Sequence, residues 1–180
     1  EISKDCLVPL KPNGSKIPLF IVHGAGLNIL SFLNLIEHFE EDQPVYGIQG
    51  TAKSYDKWYE SIEDMAAHYI DAIVKVNPNG PYALAGFSFG TAVASNAALQ
   101  IEHKKLILVG PAVTRYNVVV PDKNKTLVIH GQEDEVISYD EVAKWAEEYD
   151  IPVSVFMKTG HFFHGKLIQL QNYLNQILAV

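Results

Sequence analysis

Residues 82–99 read YALAGFSFGTAVASNAAL, and this stretch decides the fold. It starts as a short buried strand, turns sharply through Gly86-Phe87-Ser88-Phe89-Gly90, and continues as an alanine-rich helix. A tight strand-to-helix turn strains the backbone, needs small flanking residues, and raises the central serine hydroxyl clear of the sheet. The first turn of the following helix favours negative charge that develops beside it. The pattern therefore predicts that Ser88 is an exposed nucleophile.

Strand and helix signals alternate on both sides of this turn. Short apolar runs, typical of strands buried on both faces, lie at 17–22, 45–48, 82–85, 105–109, 126–130 and 153–157. Apolar residues at helical spacing fill most of the intervals between them and the C-terminal end. The alternation predicts an α/β protein with about six mostly parallel strands, helices on both faces, and a single domain over residues 1–180.

The composition argues against several classes of protein. Hydrophobic residues make up 48% of the chain and charged residues 19%, the balance of a folded globular protein. The net charge of the chain is −7. Residues 131–150 alone carry a charge of −7, because they contain eight acidic residues and one basic residue, Lys144. Without a basic stripe we expect no nucleic-acid partner, and without an apolar run of about 18 residues we expect no membrane partner. The single Cys6 and the lack of a signal segment favour a cytoplasmic location.

A serine nucleophile needs a general base at the same edge of the sheet. All parallel strands end at one edge, and His161 follows the last predicted strand there. His164 is the rival, but we expect it on the first turn of the last helix. His161 is therefore the predicted base, and His130, at the end of another strand, is expected to lie in the core or behind the site.

The base in turn needs an acid to orient it. The loop after strand 126–130 offers three consecutive acids, Glu133, Asp134 and Glu135, and each can reach the correct edge. The residues by themselves barely separate the three.

The turn after the first strand, His23-Gly24-Ala25-Gly26, lies where a second backbone donor to an oxyanion is expected. The N–H groups of Ala25 and Phe89 are the predicted oxyanion hole. The side chains predicted to contact the substrate are apolar and flank these turns: Leu27, Phe87, Val113 and Phe162. The turn lacks the third glycine of a dinucleotide-binding fingerprint, and no metal-ligand motif is present, so we expect neither cofactor nor metal.

These motifs together resemble the α/β-hydrolase superfamily. Residues 7–98, with IPLFIVHGAG, QPVYGIQG and PYALAGFSFG, resemble the thioesterase domains of nonribosomal peptide synthetases. Residues from 106 onward, with LVIHGQEDEVISYDEVAKW and GHFFHGKL, resemble small hydrolases of the dienelactone-hydrolase type. The mixture fits either a chimera of two parents or a divergent member of the superfamily.

Both resemblances imply Ser88 as nucleophile and His161 as base, but they disagree on the acid. The synthetase thioesterases usually carry it after the strand ending at Val109, where Gly110-Pro111-Ala112-Val113 supplies none. The small hydrolases carry it in an H-G-x-x-D pattern, which selects Asp134 in this chain. The implied triad is Ser88, Asp134 and His161, in the chain order serine, acid, histidine.

The resemblance also implies a compact α/β-hydrolase fold. The synthetase thioesterases carry a helical lid after the strand ending at Val109, but residues 110–125 are too few for a helical hairpin, so we expect no lid domain. The function expected is a serine hydrolase that cleaves small carboxylic esters or thioesters through an acyl-enzyme. An open cleft contacts only the first carbons of a chain, so acetyl to butyryl groups are expected to be preferred. Two alternatives are a thioesterase acting on an acyl carrier domain and a folded domain with little activity.

Overall fold

The computed structural model describes residues 6–26, 30, 33–50 and 59–179, and these form one seven-stranded sheet. The strand order is β1-β3-β2-β4-β5-β6-β7, with β1 antiparallel to β3 and the other neighbouring strands parallel. The strands are β1 (Leu7–Lys11), β2 (Leu19–Val22), β3 (Val45–Ile48), β4 (Tyr82–Phe87), β5 (His103–Val109), β6 (Thr126–Gly131) and β7 (Val153–Phe156).

The first strand, β1, is the one that the apolar pattern does not predict. Leu7 pairs with Ile48 and Val8 with Gly47, and the register shifts between Pro9 and Lys11. A proline has no N–H to give to a ladder, so Pro9 fits only an edge strand. The sheet therefore has seven strands where about six were expected, and the additional strand is β1 at its edge.

Helices cover both faces of the sheet. Those within the described residues are α1 (Leu33–Ile36), α2 (Ile62–Val76), α3 (Gly90–Gln100), α4 (Tyr139–Glu148) and α5 (Leu167–Leu178), and a 3₁₀ turn lies at Lys123–Lys125. The pattern between residues 30 and 39 predicts a longer first helix than the four residues of α1. Leu30 and Phe39, the first and last apolar positions of that pattern, lie outside α1.

The two faces of the sheet carry two separate apolar clusters, because alternate residues of each strand point to opposite sides. Phe20 and Leu84 pack with α2, α3 and α4 on one face. Leu19, Ile21 and Ala85 pack with α1 and α5 on the other. Five buried alanine and valine side chains of α3 let that helix approach the sheet closely.

The connection from β5 to β6, residues 110–125, lies flat on the helical layer. The Ala112 N–H donates to Oγ1 of Thr91 (3.3 Å), and the Val119 N–H donates to Oγ of Ser95 (3.2 Å). The indole N–H of Trp145 donates to the Val118 carbonyl (3.3 Å). These bonds hold the connection against α3 and α4, and it contains no helical hairpin.

Among the described residues no helix combines the length and the apolar composition that crossing a bilayer requires. The carboxyl ends of β2, β4, β5, β6 and β7 all meet at one edge of the sheet, because these strands are parallel. The turns at this edge carry every residue of the candidate site.

Candidate active site

Ser88 lies in a sharp turn between β4 and α3. Its φ of 54° is in the left-handed region, which is uncommon for a residue with a side chain and marks a strained backbone. A methyl group on Gly86 would lie 2.3 Å from the Gly90 carbonyl oxygen, so the two glycines of the turn must stay glycines. Ser88 is half-buried, and its hydroxyl points toward the ring of His161.

Gly90 also brings a second turn against the first. A Cβ atom there would lie 2.2 Å from the carbonyl oxygen of His23 and 2.8 Å from that of Val22. The end of β2 therefore lies directly on the start of α3. Because of this contact, the turn after β2, which contains Ala25, lies beside the turn before α3, which contains Phe89.

Phe89 is the N-cap of α3, so its N–H belongs to the first turn, where intrahelical acceptors are missing. Its ring stacks on His23, with centroids 6.0 Å apart, and meets Tyr116 edge-on at 4.9 Å. Its side chain is thus fixed against the α2 and α3 side of the sheet. The backbone N–H groups of Ala25 and Phe89 stay the predicted oxyanion donors.

His161 connects Ser88 to an acidic side chain. The Ser88 hydroxyl lies 3.1 Å from Nε2 of His161, and Nδ1 of His161 lies 2.7 Å from Oδ2 of Asp134. Because a carboxylate only accepts, Nδ1 carries the proton and Nε2 is free to accept from the serine. His161 is 2% exposed, so its ring is held away from bulk water. The arrangement can move a proton from Ser88 to His161.

Asp134 is anchored by its own loop. Its Oδ1 accepts hydrogen bonds from the N–H groups of Val136 (2.8 Å) and Ile137 (2.7 Å), which leaves Oδ2 for His161. Burial by itself raises the pKa of Asp134, but the hydrogen bonds from His161, Ile137 and Val136 outweigh it and hold the pKa below its ordinary value. The carboxylate therefore stays ionised in a buried position.

The two neighbouring acids take different places. Glu133 and Glu135 are both exposed. Glu135 accepts from the backbone N–H of His161 (3.2 Å) and does not approach its ring. Of the three acids that the sequence offers, Asp134 is the one turned toward the imidazole.

His164 is exposed and lies outside the helix that was expected to carry it. The pattern places it on the first turn of the last helix, but α5 begins only at Leu167. Between them, Gly165 has a φ of 73°, which is not a helical conformation, so the helix cannot extend back to His164. His164 therefore lies in the turn that follows His161.

His130 supports the acidic loop from behind. Its Nε2–H donates to the Ile137 carbonyl (2.8 Å), and the same nitrogen lies 3.4 Å from Oδ2 of Asp134. Its Nδ1 is buried without a hydrogen-bond partner among the described residues. Burial lowers the pKa of His130, against the effects of the Ile137 carbonyl and Asp134. The sequence signal for this role is the position of His130, at the end of β6 and directly before the loop.

His23 stiffens the turn after β2, a role that the sequence did not indicate. Its Nδ1–H donates to the Gly24 carbonyl (2.7 Å), and its Nε2 accepts from the hydroxyl of Tyr69 (2.6 Å). Burial lowers the pKa of His23 to about 4, although the bond to Gly24 opposes the shift. A neutral His23 therefore ties the turn to α2.

An apolar cavity of about 230 Å³ lies between the sheet and the helices α1 and α5, and its lining includes Gly86 and Phe87, the two residues before Ser88. Phe87 and Phe162, two of the predicted substrate contacts, line it, and their ring centroids are 6.0 Å apart. Val113 does not line this cavity, because it packs with the cluster on the opposite face of the sheet. Leu27 lies outside the described residues.

Among the described residues, no three His, Cys, Asp or Glu side chains converge as a metal ion would require.

Comparison with protein families identifies the N-terminal part of the chain. The model of the thioesterase domain family matches residues 17–114, more than half of the chain. Malpinin synthetase of Mortierella alpina is 42% identical over 101 residues, which are 56% of this chain and 1% of that synthetase. Malpibaldin synthetase of the same organism is 34% identical over 134 residues, 72% of this chain and 2% of the synthetase. The chain thus spans a small fraction of the length of these relatives.

Solved structures share the fold over nearly the whole chain. The lidless α/β serine hydrolase XC6422 of Xanthomonas campestris covers 96% of this chain and 86% of its own, with a TM-score of 0.73 and 23% identity. The match to the thioesterase domain of NocB from the nocardicin cluster covers 97% of this chain and 99% of that domain, with a TM-score of 0.77 and 17% identity. The α/β-hydrolase fold and the resemblance of the N-terminal half to thioesterase domains, both expected from the sequence, are confirmed.

Proposed function

This chain belongs to the thioesterase domain family, and we propose that it hydrolyses small carboxylic esters or thioesters through a triad of Ser88, His161 and Asp134. The observation that carries the proposal is the pair of hydrogen bonds at His161, 3.1 Å to Ser88 and 2.7 Å to Asp134. Both are within the range of working hydrogen bonds, so the proton path needs no rearrangement. This geometry favours an active enzyme over a folded domain with little activity.

In the first half of the reaction, Oγ of Ser88 bonds to the acyl carbon of the substrate while Nε2 of His161 takes the hydroxyl proton. The carbonyl electron pair moves onto oxygen, and the N–H groups of Ala25 and Phe89 donate to that oxyanion. Asp134 accepts from Nδ1–H throughout, and it stabilises the imidazolium without taking its proton. His161 then gives its proton to the alcohol or thiol that leaves, and the acyl group stays on Ser88.

In the second half, water attacks the acyl carbon and His161 takes one of its protons. The same two N–H groups hold the second oxyanion. When the bond to Ser88 breaks, Oγ recovers its proton from His161 and the carboxylic acid leaves. The cycle needs no cofactor, since each proton taken by His161 is returned within the same half-reaction.

The substitution Ser88→Ala tests this proposal. We expect loss of p-nitrophenyl ester hydrolysis with an unchanged melting temperature, because the hydroxyl is half-buried in a turn and leaves no core cavity. Ser154→Ala is the matched control, since Ser154 lies on β7, three strands from β4 in the sheet. If purified Ser88→Ala keeps more than a few per cent of the activity, Ser88 is not the nucleophile.

A carrier-bound acyl thioester is the second candidate substrate. It is favoured by the similarity to Malpinin synthetase and to Malpibaldin synthetase, and the partner would then be an acyl carrier domain. The attacked carbonyl and the triad are the same, and only the leaving group differs. Comparing kcat/KM for acyl-pantetheine thioesters and for p-nitrophenyl esters of the same acyl group distinguishes the two. A clear preference for the pantetheine thioester identifies the carrier-linked reaction.

A further inference from the structure

The cavity beside Ser88 is lined mainly by apolar side chains from both ends of the chain. Leu19 and Ile21 of β2 form part of its wall on the sheet side, and Leu170 and Leu174 of α5 form part of the opposite wall. None of these four side chains has a polar group, and Asn34 and His164 are the polar side chains among the other lining residues, which are mostly apolar. The cavity therefore suits a hydrocarbon chain.

One end of the cavity is lined by residues adjacent in sequence to Ser88 and His161. Phe87 directly precedes Ser88, and its ring centroid is 5.0 Å from that of His161. Phe162, which directly follows His161, also lines this end and is half-exposed to solvent. The two rings contact each other, with centroids 6.0 Å apart, so a chain attached to a carbonyl at Ser88 would pass alongside this pair.

The other end runs beneath α5. Leu167, Leu170 and Leu174 all line the cavity, at the spacing of one helix face. Seven residues of helix span about 10 Å, so the cavity leads away from the site along the helix axis. Leu174 lies at the end of this row farthest from His161.

The helical wall of the cavity is fixed in place. Gln171 is fully buried, and its side-chain N–H donates to the Leu35 carbonyl of α1 (2.5 Å). Asn175, one turn further, donates to the His38 carbonyl (3.2 Å). These bonds tie α5 to α1 and to the turn that follows α1, so the space beneath them is preformed.

We propose that this cavity binds the acyl chain of the substrate and that the chain it fits is about eight carbons long. The inference rests on the proposed function and specifies its substrate. An apolar cavity of roughly 150 Å³ binds benzene, with six carbons, so by proportion about 230 Å³ holds roughly eight or nine. The expectation of a preference for acetyl to butyryl groups, drawn from the missing lid, is replaced because the chain lies between the sheet and α5.

The proposal predicts how kcat/KM depends on chain length. Each buried methylene raises kcat/KM by up to about fourfold. From the butyryl to the octanoyl p-nitrophenyl ester we therefore expect a rise of at least tenfold, followed by a fall at dodecanoyl and longer chains. A maximum at butyryl or below, or a continued rise to hexadecanoyl, would overturn the proposal.

Filling the far end of the cavity tests its location. Leu174→Phe is expected to lower the ratio of kcat/KM for octanoyl over acetyl esters by at least tenfold. The control Leu99→Phe makes the same change on an exposed position of α3 and should leave the ratio unchanged. Melting temperatures of both variants show whether they are folded. A folded Leu174→Phe with the wild-type ratio would place the chain elsewhere.

Direct binding separates a failure of the cavity from a failure of the catalytic proposal. Titration calorimetry of octanoate with Ser88→Ala reports on the cavity without any reaction. Binding that is lost in Ser88→Ala/Leu174→Phe supports the cavity, even if wild type hydrolyses no ester and the proposed function is wrong. Absence of octanoate binding, in a protein that hydrolyses esters, overturns the cavity proposal alone.

Discussion

Oδ2 of Asp134 lies 2.7 Å from Nδ1 of His161, across 27 residues of sequence. The contact depends on two loops that follow neighbouring strands, β6 and β7, at the same edge of the sheet. Glu133 N–H donates to the Thr159 carbonyl (2.9 Å), which holds the two loops together. Asp134 reaches the imidazole because the N–H groups of Val136 and Ile137 occupy its other oxygen.

Asp134→Asn is expected to lower kcat by about 10²–10⁴-fold, because an amide no longer fixes the tautomer of His161 that can accept from Ser88. The measurement is kcat for one ester across purified variants. Glu133→Gln, the matched removal of an exposed charge one residue away, should stay near wild type. Equal losses in both variants would mean that the acidic loop acts through its net charge.

His130→Leu is expected to reduce both stability and kcat. The Ile137 carbonyl would lose its buried donor, which costs about 1–3 kcal/mol, and the loop that holds Asp134 would loosen. His130→Gln keeps a donor near the same position and should recover part of both losses. Denaturant unfolding and kcat of the two variants check this. If His130→Leu lowers stability but leaves kcat and its pH profile unchanged, His130 does not position Asp134.

The protein is expected to become less stable as the pH is lowered, because of His23. Its pKa is about 4 in the folded protein and about 6.5 in the unfolded chain, so between these values the unfolded chain binds the extra proton. The contribution is fully present above about pH 6.5 and is lost as pH falls toward 4, at a cost on the order of 3 kcal/mol. Burial lowers the pKa of His103 and of His130 as well, which adds to the loss in the same direction.

The free energy of unfolding of wild type and of His23→Gln, measured across that range, tests the assignment. The variant should lose less stability on acidification, by about 2–3 kcal/mol. His38→Gln, at an exposed histidine, should follow the wild-type curve. Parallel curves for wild type and His23→Gln would show that another group titrates.

The part of the structure that the sequence predicts best is the part set by local sterics. The turn at Ser88 needs glycine at 86 and 90 within five residues, so its strand–turn–helix context can be read directly. The choice among Glu133, Asp134 and Glu135 could not be made this way, because side-chain direction depends on hydrogen bonds within the folded loop. A resemblance was needed to choose among them.

Two other features escaped prediction because they depend on distant residues. β1 contains Pro9 and pairs only at the edge of the sheet, so its pattern lacks the continuous apolar run of a buried strand. The cavity forms between Leu19 and Leu174, two positions near opposite ends of the chain. Sequence spacing carries no information on how closely such surfaces pack.

Labelling with a fluorophosphonate ester tests the central claim most directly, because this reagent reacts with a serine that an adjacent base activates. The account predicts one adduct per chain by intact mass and its location on Ser88 by peptide mapping. The adduct should be absent in Ser88→Ala and should form much more slowly in His161→Ala. An adduct on another residue, or labelling that Ser88→Ala does not remove, would contradict the assignment of Ser88 as the nucleophile.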